Sequence, residues 1–266
     1  MSLRINNNVE AFNAHRQLVG TADKAGKSME RLSSGFRINR AADDAAGLAI
    51  SEKLRGQIRG LAQSQRNAQD AVSLVQTAEG SLNEVHSMLQ RVRELAVQFQ
   101  NGTLSTSDKA AITAEAAQLQ SEIERIGKSA DFNGIKLLDG SQSTVSFQVG
   151  ANDGDTISVT TESLGSKIGT INVAASSDAI SAIDAAITKV STLRGEFGAV
   201  QNRLEHTLNN LATYQENLMA SESRIRDVDM ASEMVEFSKN QILQQAGTSM
   251  LAQANQAPQA VLSLLR

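Results

Sequence analysis

The chain has no cysteine, no tryptophan, one tyrosine and one proline in 266 residues. Without cysteine it has neither disulfides nor thiolate metal sites. Aromatics make up 3% of a chain that is 41% hydrophobic, so its interior must be built of aliphatic seams, as in a helical bundle. The scarcity of proline agrees, because a proline inside a helix removes a hydrogen bond and clashes with the preceding turn. Positive charge is not in excess. The formal net charge is −4, with Lys and Arg interspersed among Asp and Glu, which argues against nucleic acid and the basic stripe it calls for. No apolar run is long enough for a membrane-spanning helix, and MSLRINNNVEAF at the N-terminus lacks the apolar core of a secretory signal. If the protein leaves the cell, the expected route reads no cleavable hydrophobic leader. His15, His86 and His206 are scattered at no metal-ligand spacing. With no G-x-S-x-G elbow and no phosphate-binding glycine loop after a strand, neither an enzyme nor a cofactor is expected.

What is present is periodicity. Leu54, Leu61, Ala68, Val75, Leu82, Leu89 and Ala96 recur every seven residues, with Ile58, Val72, Val85, Val92 and Phe99 beside them on one helical stripe. A continuous helix from Leu48 to Phe99 would run to roughly 78 Å and needs a partner of similar length. Ile183, Val190, Phe197, Leu204, Leu211, Leu218 and Ile225 keep the same step and supply one. The expected fold is mainly α: an elongated, antiparallel, coiled-coil-like bundle of long helices with both termini projecting from one end.

Five segments follow in order. Residues 1–44 are an amphipathic helix through Ile5, Val9, Phe12, Val19, Ala22, Met29 and Leu32, then a connector from Ser33. Gly20 and Gly26 weaken that helix by about 1 kcal/mol each. Asp43 and Asp44 stand where carboxylates favour a helix start, not where a catalytic pair would face a second constellation. Residues 45–130 hold the long helix and, past Asn101-Gly102 and the capping residues Ser105 to Ser107, a second helix through Ile112, Ala116, Leu119, Ile123 and Ile126, its antiparallel neighbour. In 131–178 the period changes to two. Val145, Phe147 and Val149 alternate, as do Ile157 and Val159, with Asn152-Asp153-Gly154 between them as a hairpin turn rather than a calcium loop. Loop follows, with one more short strand near Ile168 to Val173. Residues 179–228 are the second rod, and 229–266 a last helix that Pro258 kinks or interrupts.

That last helix is apolar on more than one face. Met230, Met234, Phe237, Leu243, Ala246, Met250, Ala257, Val261 and Leu264 lie on one stripe, with Leu251, Leu262 and Leu265 off it. Gln241, Gln244, Gln245, Asn255 and Gln256 form a neutral polar face. Such a helix must be buried on several sides, among copies of itself. Ile5, Val9, Phe12, Leu243, Met250, Leu251, Val261, Leu264 and Leu265 are the expected packing residues between subunits. A head-to-tail contact that does not close generates an open helical polymer.

Several stretches, in order along nearly the whole chain, are similar to bacterial flagellins. They are RLSSGFRINRAADDAAGLAIS (31–51), QIRGLAQSQRNAQDAVSLVQTAEGSLNEV (57–85), LQRVRELAVQ (89–98), GAVQNRLEHTLNNL (198–211), ENLMASESRIRDVDMASEM (216–234) and ILQQAGTSMLAQANQAPQAVLSLLR (242–266). QVGANDGDTISV resembles the family's hairpin. The resemblance implies a secreted structural subunit, exported unfolded by the flagellar type III system and polymerised under a cap protein into the motility filament. It implies terminal helices forming a coiled-coil inner domain, and a short middle lacking the outer variable domains of larger relatives. The partners it implies are other copies of the chain, an export chaperone holding Ile242 to Arg266, and the cap and hook–filament junction proteins. Arg91, Leu95 and Glu115 match positions through which an animal innate immune receptor recognises some flagellins. A junction protein of the same family, or a cytoplasmic signalling coiled coil, are the competing readings. The first would self-polymerise only over a short zone, and the second would lack the hairpin and the apolar C-terminus.

Overall fold

The heptad stretch forms one uninterrupted helix of 55 residues, α2 (Ala45–Phe99). In this computed structural model, residues 8–169 and 179–264 are described, the side chains of 257–264 excepted. Helix α2 begins where Asp44 Oδ1 accepts the Gly47 N–H at 2.9 Å. That bond satisfies one orphan donor of the first turn and sets a carboxylate at the positive end of the helix dipole. Asp43 stays outside the helix, its Oδ2 accepting the backbone N–H groups of Arg40 (3.0 Å) and Asn39 (3.2 Å). The bond from Arg40 is the main reason its carboxyl is held below the usual carboxylate range.

The chain order is α1 (Val9–Ser34), α2, α3 (Thr106–Ser129), β1 (Asp131–Phe132), β2 (Ile135–Lys136), β3 (Thr144–Gln148), β4 (Thr156–Thr160), α4 (Leu164–Ile168), α5 (Ala179–Arg226) and α6 (Met230–Leu264). Two compact units result. One is Gln57–Asn217; the other joins Met1–Gly56 with Leu218–Arg266. The division falls inside α2 and α5, whereas the segments read from the sequence end where periodicity breaks. Burial along the seam accounts for the difference. Leu61 and Leu211 are buried while Leu54 and Leu218, one heptad further on, are half-buried.

In the unit Gln57–Asn217 the two rods are antiparallel. Arg93 pairs with Asp184 (2.6 Å) and Glu79 with Arg194 (3.8 Å), so the α5 partner advances as the α2 partner retreats. Between them Leu82, Val85, Leu89 and Val92 join Ile183, Val190, Phe197 and Leu204 in one core, completed by Ile112, Ala116 and Ile123 of α3. Helix α3 starts on a capping box. Ser105 Oγ accepts the Asp108 N–H (3.3 Å) while Asp108 Oδ2 accepts the Ser105 N–H (3.1 Å). We expect Ser105→Ala to cost about 1 kcal/mol, read as a lower urea midpoint with the m-value unchanged.

Strands β3 and β4 pair antiparallel, with Val145 opposite Val159 and Phe147 opposite Ile157. The hairpin is fastened to α2 by Asn67, whose Nδ2 donates to Gln148 O at 3.0 Å, and by Gly60, where an added Cβ would stand 3.2 Å from that of Ala151. The NDGD run is a turn. Gln148 Nε2 donates to Gly150 O (3.0 Å) and Asn152 O (2.6 Å), and Gly154 takes φ +90°, a conformation open to glycine.

Three local features depart from the sequence reading. Asn133 (φ 51°) and Gly134 (φ 80°) turn the two-residue strands β1 and β2 into a second small hairpin. Of the short strand expected near Ile168 to Val173, Ile168 instead ends helix α4, and residues 170–173 lie outside the described residues. Leu164 is buried and stands 3.4 Å from the space beside Gly127, so α4 docks on α3 through a gap left by a missing side chain. Finally, α6 keeps its helical backbone through position 258 to Leu264, as one helix of 35 residues.

Candidate assembly site

In the other unit the two ends of the chain meet as an antiparallel pair, α1 against α6. Asn8 caps α1 by accepting the Ala11 N–H (3.1 Å) and donates through Nδ2 to Ala254 O (2.7 Å). Leu18 lies beside Gly247, where a Cβ would come within 3.2 Å of Leu18 Cδ1. Near the other end Arg31 pairs with Glu233 at 3.5 Å.

The residues turned inward on this seam are mainly small or polar, with a few large apolar ones among them. On α1 they are Ala11, Ala14, Leu18, Thr21, Ala25, Ser28 and Leu32; on α6 they are Phe237, Asn240, Gln244, Gly247, Leu251 and Ala254, each set spaced three and four apart. Small residues let the two backbones approach closely, but they bury little apolar area. This corrects the stripe read from the sequence for α1. Val9, Phe12, Val19 and Met29 are 46–72% exposed, whereas Ala22 and Leu32 of the same stripe are half-buried, since the face that meets α6 runs through Ala11, Leu18, Ala25 and Leu32. Gln244 also turns out to be half-buried in the seam, whereas Gln241, Gln245, Asn255 and Gln256 are exposed.

Most of the large apolar residues of the two helices face outward. Of the fourteen exposed large hydrophobics among the described residues, ten are on these two helices: Val9, Phe12, Val19, Met29, Met230, Met234, Val235, Ile242, Leu243 and Met250. Apolar side chains of that size, gathered on one helix pair, mark an interaction surface. Val9, Phe12, Leu243 and Met250 of the expected packing residues are therefore at the surface, and Leu251 is half-buried against α1. Ile5 and Leu265, and the side chains of Val261 and Leu264, lie outside the described residues. Val235 and Ile242 were not picked out by sequence reasoning. They become visible once the heptad facing α1 is known and the opposite side of the helix is what remains.

A backbone clasp closes the same unit where the two terminal helices give way to α2 and α5. Phe36 and Asp227 form an isolated antiparallel bridge. Arg37 N–H donates to Arg226 O (2.6 Å) and Val228 N–H to Gly35 O (3.0 Å). Gly35 sits at φ +76°, which ends α1 and turns its carbonyl toward Val228. The Arg226 guanidinium lies 4.8 Å from the Phe36 ring centroid and pairs with Glu52 at 2.9 Å. That hydrogen bond is the leading reason the Glu52 carboxyl is held below its ordinary range, with Arg55 contributing as well.

A depressed carboxylate stabilises the folded state above its unfolded pKa, and the contribution is lost as pH falls through the lower folded value. The protection of the amides at residues 35–37 and 226–228, taken relative to intrinsic exchange at each pH, should consequently fall in acid below the ordinary Glu range in the native chain. In Glu52→Gln, exchange there should be faster at neutral pH and lack that acid step. Identical exchange profiles in both proteins would contradict the assignment.

Arg91, Leu95 and Glu115, the positions for which the resemblance implies receptor recognition, sit in the Gln57–Asn217 unit. Arg91 pairs with Glu115 (3.0 Å) and with Glu94 (2.9 Å) at the surface, while Leu95 is 2% exposed in the core between the helices. The charged pair is accessible and the leucine is not. His206 borders an open groove of about 740 Å³ with Arg203, Tyr214 and the hairpin turn, floored by Leu61 and Leu211. No group of three or more His, Cys, Asp or Glu capable of holding a metal occurs among the described residues, and no described helix is long and apolar enough to cross a membrane.

Comparison with known proteins agrees with this architecture. Residues 5–143 match the bacterial flagellin N-terminal helical region, and residues 180–265 the bacterial flagellin C-terminal helical region. The chain is 55% identical to a flagellin of Halalkalibacterium halodurans, over 98% of this chain and 99% of that protein. It is 48% identical to the flagellar filament 33 kDa core protein of Treponema phagedenis, again over 98% and 99% of the two. The crystal structure of Bacillus cereus flagellin is similar at a TM-score of 0.51 and 35% identity, covering 55% of this chain and 88% of that one. With both end regions matched around a short middle, and with relatives this similar over their full length, the chain belongs to the bacterial flagellin family.

Proposed function

We propose that this chain is the structural subunit of an extracellular flagellar filament, and that its two terminal helices hold neighbouring copies together. The observation that carries this reading is the packing of α1 and α6: a seam of mainly short and polar side chains with Leu18, Leu32, Phe237 and Leu251, while ten large apolar residues of the same two helices are turned to water. A surface of that kind is costly for a solitary subunit and is covered when copies stack. Filament-forming relatives at about half identity support the same assignment.

Export of an unfolded chain through the flagellar type III route fits the reading. An export chaperone would then hold the segment from Ile242 to Arg266, which carries exposed Ile242, Leu243 and Met250. Filament ends would contact the cap and the hook–filament junction proteins. Electron microscopy of purified, salt-concentrated protein tests the central reading. The full chain should form filaments, and a chain lacking residues 1–34 or 230–266 should not. Filaments from either clipped chain would contradict it.

Recognition by an animal innate immune receptor would use the exposed Arg91 and Glu115, with Leu95 reached only if the local packing opens. In a receptor reporter assay, Arg91→Ala monomer should give a weaker response than the native chain at equal dose. An unchanged response would remove this role and leave the pair as a bridge between α2 and α3, which by itself contributes at most about 1 kcal/mol.

A further inference from the structure

The seven methionines are unevenly placed. Of the six that are described, Met88 packs partly buried against the core of the Gln57–Asn217 unit. The other five are all in the unit that joins the chain ends. Met29 is on α1, Met219 on the last turns of α5, and Met230, Met234 and Met250 on α6, with side chains 49–63% exposed. Leucine has a similar volume and no oxidisable atom, so thioethers at these positions make the outward faces of the terminal helices the part of this chain most open to oxidants. The chain also has no cysteine to intercept them.

We propose that these five methionines are an oxidation site that controls polymerisation, a proposal that rests on the filament reading above. A peroxide delivers its terminal oxygen to the thioether lone pair; the O–O bond breaks, the sulfur loses two electrons and becomes a sulfoxide, and the peroxide is reduced to water. The product is a polar, chiral side chain whose S=O oxygen needs a hydrogen-bond donor. Burying it against an apolar face of the next subunit leaves that oxygen unsatisfied. Met250 matters most, because it is the most exposed of the five and lies one heptad from Leu243 on the outer side of α6. Met230 and Met234, one helical turn apart, add a second patch. Once copies cover these faces the sulfurs are shielded, so the monomer is sensitive and the assembled polymer resistant.

The test uses the full chain. Monomer is treated with hydrogen peroxide, the sulfoxides are located by peptide mass spectrometry, and polymerisation is followed by sedimentation after the peroxide is removed. The expected result is oxidation at Met29, Met219, Met230, Met234 and Met250 ahead of Met88, and a critical concentration raised at least ~10-fold, equivalent to about 1.4 kcal/mol per subunit. Incubation with both methionine sulfoxide reductases and a dithiol should restore assembly, the dithiol becoming a disulfide as the sulfoxide oxygen leaves in water. The variant M29L/M219L/M230L/M234L/M250L should polymerise equally well before and after peroxide. Should it fail to assemble even untreated, reductase rescue of the native chain decides the matter. Fully sulfoxidised native monomer that polymerises like untreated monomer overturns the proposal, as does an assembly defect that the reductases leave in place. Failure of the untreated native chain to polymerise would instead count against the filament reading.

Discussion

A chain carrying Val235→Asp and Ile242→Asp should remain helical and monomeric at concentrations where the native chain is almost wholly polymerised. Val235 and Ile242 are 68% and 66% exposed, one heptad apart, on the side of α6 away from the small-residue seam with α1. In the free subunit both carboxylates would stand in water, so α1 and α6 should pair as before, and far-UV circular dichroism should change little. In a polymer the same carboxylates would be desolvated against an apolar neighbour without a partner. Even after relaxation that costs several kcal/mol per ion. A penalty of only about 3 kcal/mol per subunit raises the critical concentration more than ~100-fold. Sedimentation across a concentration series measures it. Native-like pelleting would mean that this face is not covered by neighbours, whereas loss of helicity would mean that it supports the subunit itself.

The second large effect is on the subunit's own stability. Phe197 is the largest fully buried side chain described, 2% exposed, and stands in the core with Leu82, Leu89, Val190 and Leu204. Truncating it removes a ring from the aliphatic seam and leaves a cavity that two long helices, tied by Arg93–Asp184 and Glu79–Arg194, cannot collapse to fill. Phe197→Ala should cost about 3–5 kcal/mol, read from urea unfolding followed by circular dichroism. Tyr214→Ala, further along the same helix and exposed, is the contrast and should stay within about 0.5 kcal/mol. A Phe197→Ala loss as small as that would mean that the seam is not the stabilising element of this unit.

Legibility in the sequence followed the kind of signal. The heptads from Leu54 to Ala96 and from Ile183 to Ile225 mark core positions, and all their members are buried except Leu54, Leu218 and Ile225, which are half-buried. Alternation picked out β3 and β4 as a hairpin, while their register, Val145 opposite Val159, was fixed only by the folded turn between them. Asn133-Gly134 carried an equally local hairpin signal and was passed over, since the strands it joins have only two residues each. Helix α4 was hidden for another reason. It exists because Leu164 finds a gap over Gly127, a position 37 residues earlier in the chain. Leu95 shows the same limit within a recognised motif: matching letters placed it beside Arg91 as a recognition residue, while packing turned it into the core.

For the terminal helices the division is clearest. That both are helical, that one has apolar residues on several faces, and that the chain lacks the residues for disulfides or thiolate metal sites were properties of residue order and composition alone, since the helix repeat is the same in every context. Which face of α1 meets α6 was decided only in three dimensions. A helix with Val9, Phe12 and Met29 among its larger residues would be expected to bury them first, yet the face toward the partner helix carries Ala11, Ala14, Ala25 and Ser28 with only Leu18 and Leu32 as large apolar residues. Burial is a relation between segments more than 200 residues apart here, and no local pattern records which of two apolar faces a distant helix will take.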